Sequence, residues 1–168
     1  MLFRSIDAKD MAAKVRVAVE SRSDPSFLVV ARTDARTTLG LDEALRRAAL
    51  YSKAGADVLF IESPESLEEM RRIGERFRGV PLLANMVEGG RTPLLDAKTL
   101  QELGYRIAIF PGLGFLAAGA ALERAYRELK RAGSSKAIQV PLYDFKQFSA
   151  LMGFDEIAEF DRRHRREP

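Results

Sequence analysis

The stretch Val80–Pro93, "VPLLANMVEGGRTP", decides how the rest of the chain is read. Its first half is a short, continuous apolar run, the composition of a strand buried on both faces of a parallel sheet. It ends on the polar Asn85, and Gly89 with Gly90 follows, so the chain leaves the strand through a loop free to turn sharply. A strand that only filled a core would rarely stop on Asn. One whose carboxyl end faces a ligand has a reason to.

Working outward, three more runs share that character: "FLVVAR" from Phe27, "DVLFIE" from Asp57 and "RIAIFP" from Arg106, beside "PLLANM" from Pro81. They start roughly 25 to 30 residues apart, the spacing of strand–helix–strand crossovers. Helical patterns fill the intervals. Residues 41–54 put Leu41, Ala44, Leu45 and Ala48 on one face, with Gly55 as a stop. Residues 66–77 open on a capping box of Ser66 and Glu69 and turn Leu67, Met70, Ile73 and Phe77 inward. "DAKTLQELG" starts on a capping Asp and ends on Gly, and a fourth helix is expected over about Phe115–Arg131. A helix closed by a turn, "DAKDMAAKVRVAVESRSDP", precedes the first strand. The fold class is therefore α/β with a parallel sheet. Residues 1–141 carry four βα units and the leading helix, and residues 142–168 form a short helical tail.

In such a sheet the functional side chains gather where the carboxyl ends of successive strands meet on one rim. Arg32 with Asp34, then Glu62, then Asn85, then the "PGLG" turn at 111–114 fall there. Arg can fork onto a carboxylate or phosphate, Glu can act as a base or hold metal-bound water, and Asn can bind an oxyanion. The plainer alternative is that Arg32, Asp34 and Glu62 pair with one another as a network of strand ends.

"GLGFLA", Gly112–Ala117, has the G-x-G-x-x-A spacing of a dinucleotide turn. The acidic-ended strand that should follow is represented only by "AIQVPLYD", so a tight turn or a helix start is the stronger reading. His164, the only histidine, lies in a charged tail with Arg162, Arg163, Arg165 and Arg166, and reads as a solvated helix end.

Composition narrows the classes. The chain has 168 residues, 46% hydrophobic and 30% charged, with no Cys, which excludes disulfides, zinc–thiolate sites and a cysteine nucleophile within it. No run nears the roughly 18 apolar residues of a bilayer span, and the charges in "MLFRSIDAKDM" do not suit a signal peptide. Much of the net charge of +3 sits in the final "DRRHRREP". A cytoplasmic protein without nucleic-acid or membrane partners is expected.

The segments "VVARTDAR", "GADVLFIES", "ANMVEGGRTPLL" and "LGYRIAIFPG", with the tail "DFKQFSALMGFDEIAEFD", together resemble the isocitrate lyase and phosphoenolpyruvate mutase superfamily from about Asp7 to Arg162. The resemblance implies a (β/α)8 TIM-type barrel of which this chain supplies strands five to eight, the C-terminal half, plus C-terminal helices. It implies a lyase or mutase that makes or breaks C–C or C–P bonds of 2-oxo acid derivatives through a magnesium-stabilised enolate. Arg32 would contact a substrate carboxylate or phosphonyl group, Glu62 would reach the metal through water, and Asn85 would contact the substrate.

The "MVEGG" loop looks more like the oxaloacetate decarboxylase, dimethylmalate lyase and carboxyphosphoenolpyruvate mutase branches than the methylisocitrate lyases. Those lyases present an Arg where this chain has Leu116, so a tricarboxylate is not the expected substrate. The family's metal-binding aspartates and its Lys-Lys-Cys-Gly-His loop belong to earlier strands and find no match here. The chain is expected to be incomplete alone, whether as a fragment, a natural truncation or a half completed by another chain. The alternative is a non-catalytic homologue acting only in subunit association. A homo-oligomer through the open sheet face, binding of a complementary half, or aggregation is expected, because a four-stranded half-sheet would leave to water about half of Val29, Ala31, Leu59, Ile61, Leu83, Ile107 and Ile109.

Overall fold

The computed structural model describes residues 5–165. A leading helix, α1 (Ala8–Ser21), starts where the Asp7 carboxylate accepts the amides of Lys9 and Asp10 at 2.7 and 3.4 Å. Then follow β1 (Val30–Thr33), α2 (Ala35–Leu39), α3 (Leu41–Lys53), β2 (Val58–Ile61), α4 (Leu67–Arg76), β3 (Leu82–Asn85), α5 (Ala97–Glu102) and β4 (Tyr105–Ile109). The strands form one parallel sheet in the order β1-β2-β3-β4, so sequence neighbours are spatial neighbours. After them come α6 (Leu113–Ala132), a 3₁₀ turn (Ser135–Ala137), α7 (Phe145–Leu151) and α8 (Phe154–His164).

Compactness divides the chain into two units, the first ending at Leu116 and the second beginning at Ala117. The boundary at residue 141 read from the sequence divides repeat from tail and remains a proposal.

In the first unit one face of the sheet is covered by helices. Ala31, Leu59, Ile61, Leu82 and Ala84 are buried in one cluster with Ala44, Ala48 and Tyr51 of α3 and with Met70 and Ile73 of α4. The alternate residues Val58, Phe60 and Leu83 form a second buried cluster, with Ile107 packed against it. This corrects the expected exposure of the sheet. Of the seven residues expected to be shared with water only Ile109, on edge strand β4, is exposed, because the inner strands' side chains pack on one another. A register shift between Leu82 and Leu83 places the extra residue Arg106 in β4, which lets Tyr105 face the helices and Ile107 the opposite side.

The first strand starts later than the apolar run suggested. Phe27 and Leu28 precede β1 and are exposed, and the Phe27 amide turns back onto the Asp24 carbonyl at 3.1 Å. The Asp57 carboxylate accepts the Val29 amide at 2.8 Å, and Arg22 donates to the Phe27 carbonyl at 3.0 Å and to Asp57 at 2.7 Å. Those partners, the Val29 amide first, hold the Asp57 carboxyl below its usual range.

Helix α4 keeps the expected Ser66 cap, with Glu69 N–H donating to Ser66 Oγ at 3.1 Å. The Glu69 side chain accepts instead from the Glu65 amide at 2.8 Å, one residue outside the capping-box position. Met70, Ile73 and Phe77 are buried as expected, but Leu67 is 40% exposed; it sits in the first turn, before the helix reaches the core. Gly74 is required by a close approach, since a Cβ there would fall 1.8 Å from the Leu103 carbonyl oxygen.

In the second unit Asp144 caps α7, accepting from the amides of Lys146 and Gln147 at 3.0 and 3.1 Å. Its large apolar side chains Phe145, Phe148, Leu151, Phe154 and Phe160 are exposed. "AIQVPLYD" forms no strand, which removes the support for a dinucleotide turn at Gly112. His164 is exposed at the end of α8, its ring 4.4 Å from that of Phe160. Among the described residues no helix is long and apolar enough to cross a membrane.

Candidate functional site

Parallel pairing of β1 with β2 and of β3 with β4 brings the strands' carboxyl ends to one edge, and the three side chains singled out from the sequence meet there. Arg32 Nη1 lies 3.5 Å from Glu62 Oε2, and Asn85 Nδ2 lies 3.3 Å from each Glu62 oxygen. Asp34 grips the other edge of the Arg32 guanidinium, with Nε and Nη2 donating at 2.7 to 3.3 Å. The bond to Asp34, then the charge of Glu62, raises the Arg32 pKa further above its ordinary value. Arg32 also lies over the Phe60 ring at 4.9 Å, so its aliphatic stem and charge are steered toward the pocket.

The network read as the plainer alternative is therefore present, and it lines a pocket of about 370 Å³. That network leaves capacity for a ligand. Arg32 Nη1 makes no hydrogen bond among the described residues, and Asn85 Oδ1 is buried with no partner. The Asn85 amide nitrogen is the atom facing Glu62, since two carboxylate oxygens can only accept.

Several contributors were not read from the sequence. Ser63, directly after Glu62, holds φ at 58°, a left-handed conformation costly for a residue with a side chain, and its Oγ is 3.4 Å from Glu62 Oε1. The signal was available in "ESP": a polar residue wedged between a strand-end acid and a proline. Thr37 and Thr38, from the short α2, and Arg91 with Thr92, from the loop after β3, also line the pocket. Gly89 takes φ of 72° in that loop, the turn expected of the glycine pair.

Just outside the pocket, Arg36 is held by Glu69 at 2.7 and 2.9 Å and by Glu65 at 2.5 Å, joining α2 to the start of α4. The "PGLG" turn at 111–114 opens α6. A Cβ at Gly112 would lie 2.8 Å from Glu88 Oε2, a buried oxygen without a partner among the described residues.

Among the described residues no three His, Cys, Asp or Glu side chains gather in a way that could hold a metal ion. Glu62 is taken up by Arg32, Asn85 and Ser63, and Asp34 by Arg32. These residues do not amount to a magnesium site by themselves.

Residues 3–130 match the family described as phosphoenolpyruvate phosphomutase. The chain belongs to the phosphoenolpyruvate mutase/isocitrate lyase superfamily. It is 45% identical over 165 residues to 2,3-dimethylmalate lyase of Eubacterium barkeri, covering 98% of this chain and 57% of that protein. It is 42% identical over 156 residues to 2-methylisocitrate lyase of Aeropyrum pernix, covering 93% of this chain and 50% of that one.

Among superfamily structures, a crystal structure of 2,3-dimethylmalate lyase superposes with a TM-score of 0.85 at 34% identity, over 94% of this chain and 56% of that one. Phosphonopyruvate hydrolase in complex with oxalate and Mg²⁺ superposes with a TM-score of 0.82 at 25% identity, over 96% and 57%. The chain thus spans about half the length of the relatives it matches.

Proposed function

We propose that this chain carries strands five to eight of a (β/α)8 barrel whose complete form is a lyase or mutase acting on 2-oxo acid derivatives through a magnesium-stabilised enolate. One observation carries the reading: Arg32, Glu62 and Asn85, from the ends of three consecutive parallel strands, meet in a single pocket at 3.3 to 3.5 Å. In this reading Arg32 presents Nη1 to a carboxylate or phosphonyl group of the substrate, and Asp34 fixes the guanidinium plane so that the fork is oriented before the ligand arrives. Asn85 is held by Glu62 and offers its free Oδ1 to a substrate hydroxyl. Glu62 would reach the metal only through water, the metal's own ligands being supplied by strands that this chain does not match. The substrate is a small dicarboxylate or phosphonate, in keeping with the likeness to 2,3-dimethylmalate lyase, and the setting is cytoplasmic.

The test is complementation. The chain alone, with Mg²⁺, is expected to turn over none of oxaloacetate, 2,3-dimethylmalate or phosphonopyruvate. Mixed with a separately produced N-terminal half of the Eubacterium barkeri lyase, it should give magnesium-dependent turnover that is lost in Arg32→Ala. Turnover by the chain alone would overturn its incompleteness, and turnover insensitive to Arg32→Ala would overturn the site.

A second reading, a non-catalytic subunit acting through association, rests on a different feature. Phe145, Phe148, Leu151, Phe154 and Phe160 expose a large apolar area in the second unit, as an association surface does. Both readings include a homo-oligomer.

A further inference from the structure

We infer that Arg91 is the specificity-determining cation of the rim pocket, receiving a second acidic group of the ligand while Arg32 receives the first. The inference rests on the reading of this pocket as a substrate site. The pocket is lined by two cations, and they are not in the same condition. Arg32 has Asp34 at 2.7 Å and Glu62 at 3.5 Å, so two carboxylates already offset its charge. Among the described residues Arg91 has one hydrogen bond, from Nη1 to the Thr37 hydroxyl at 3.3 Å, and its nearest carboxylate, Glu65, is 3.7 Å away. That carboxylate is itself taken by Arg36 at 2.5 Å. Arg91 therefore keeps most of its five donors and much of its charge for a ligand.

Its surroundings suit an anion. Thr37, Thr38 and Thr92 supply hydroxyls that can donate without competing charge, whereas the wall around Arg32 carries both acids of the pocket. Arg91 also stands on the loop whose turn at Gly89 follows directly from the Asn85 strand end, so its placement is tied to the site. A ligand with one acidic group needs only the Arg32 side. One with a second acidic group is met by a fork with free donors, and discrimination between the two falls to Arg91.

The experiment compares L-malate with L-lactate, which lacks the second carboxylate, titrated into the ¹⁵N-labelled chain with the amides of Asn85, Gly90 and Thr92 as reporters. Malate is expected to bind about fivefold or more tighter than lactate, the range of one partly exposed charged fork. Arg91→Met should erase that preference, and Arg91→Lys should keep part of it. Equal binding of the two acids by the unmodified chain, or a malate preference that survives Arg91→Met, overturns the role of Arg91 and leaves the pocket as a substrate site. If neither acid moves the rim amides at millimolar concentration, the substrate-site reading falls and takes this inference with it.

Discussion

Asn85 Nδ2 stands 3.3 Å from both oxygens of Glu62, equidistant between them. The amide bridges the ends of β2 and β3 and shields one strand-end charge from the rest of the rim. Asn85→Asp would set a second carboxylate against Glu62 in a half-buried position. The variant should lose about 1–2 kcal/mol of stability at pH 7, and part of that loss should return as the pair takes up a proton toward pH 5. Urea unfolding at the two pH values measures it; a variant as stable as the parent at pH 7 would show that the two side chains do not meet.

The approach of α4 to the Leu103 carbonyl makes Gly74 the least replaceable glycine of the described structure. A Cβ 1.8 Å from a backbone oxygen can be relieved only by moving the helix or the turn before β4, so Gly74→Ala should cost about 3 kcal/mol or more. Gly112→Ala meets side-chain atoms and no backbone, Glu88 Oε2 at 2.8 Å and Leu116 at 3.1 Å, and should cost well under half as much. Thermal denaturation of the two variants side by side gives the ranking.

Tyr105 is 5% exposed, and its hydroxyl has no hydrogen-bond partner among the described residues. Burial alone raises the phenol's pKa. Tyr105→Phe removes an unpaired polar atom and no bond, so it should be within about 0.5 kcal/mol of the parent or more stable. A loss above about 1 kcal/mol in urea unfolding would reveal a partner for that hydroxyl.

Acid should unfold the first unit through specific carboxylates. Arg36 first, then the Glu65 amide, holds the Glu69 carboxyl below its ordinary 4.5, and the Val29 amide with Arg22 does the same for Asp57 from 3.8. Glu43 is pulled down to about 2 by Arg46 and Arg47. Each native value lies below the unfolded one, so the stability these groups contribute is complete above the unfolded values and drains as pH falls through the native ones. Glu43 is shared between Arg46, 55% exposed, and Arg47, 9% exposed, and Glu69 faces an Arg36 17% exposed, so solvent screens the Arg46 share most. Urea midpoints should fall steadily below about pH 4.5, and less steeply in Glu69→Gln; equal slopes would discount the Arg36 pairing.

Association is expected from the exposed phenylalanines of the second unit. Light scattering at micromolar concentration should report a homo-oligomer, and Phe145→Ser with Phe154→Ser should shift it toward monomer. A parent chain that is monomeric and unfolds cooperatively would contradict this.

The strands were legible because each is a short apolar run closed by a polar residue, and Arg32, Glu62 and Asn85 because they stand at those closures. Helix α2 was not. It is five residues long and holds Thr37 and Thr38, whose β-branching argues against a helix, and it exists where Arg36 is pinned to Glu65 and Glu69 across the fold. Arg91 was equally hidden, since "GGRTP" reads locally as a turn and only folding brings it to Thr37, 54 positions away. The late start of β1 had the same cause, because the Asp57 carboxylate that takes the Val29 amide is remote in sequence.

The sheet order β1-β2-β3-β4 keeps chain neighbours adjacent, so the walls of the pocket are encoded in one uninterrupted run from Arg32 to Thr92. In genetic terms the pocket is a cassette: one recombination event with breakpoints outside that run transfers both guanidinium groups, the carboxylates and Asn85 together. Related chains could exchange this pocket without reassembling it residue by residue, while a crossover inside the run would separate Arg32 from Arg91.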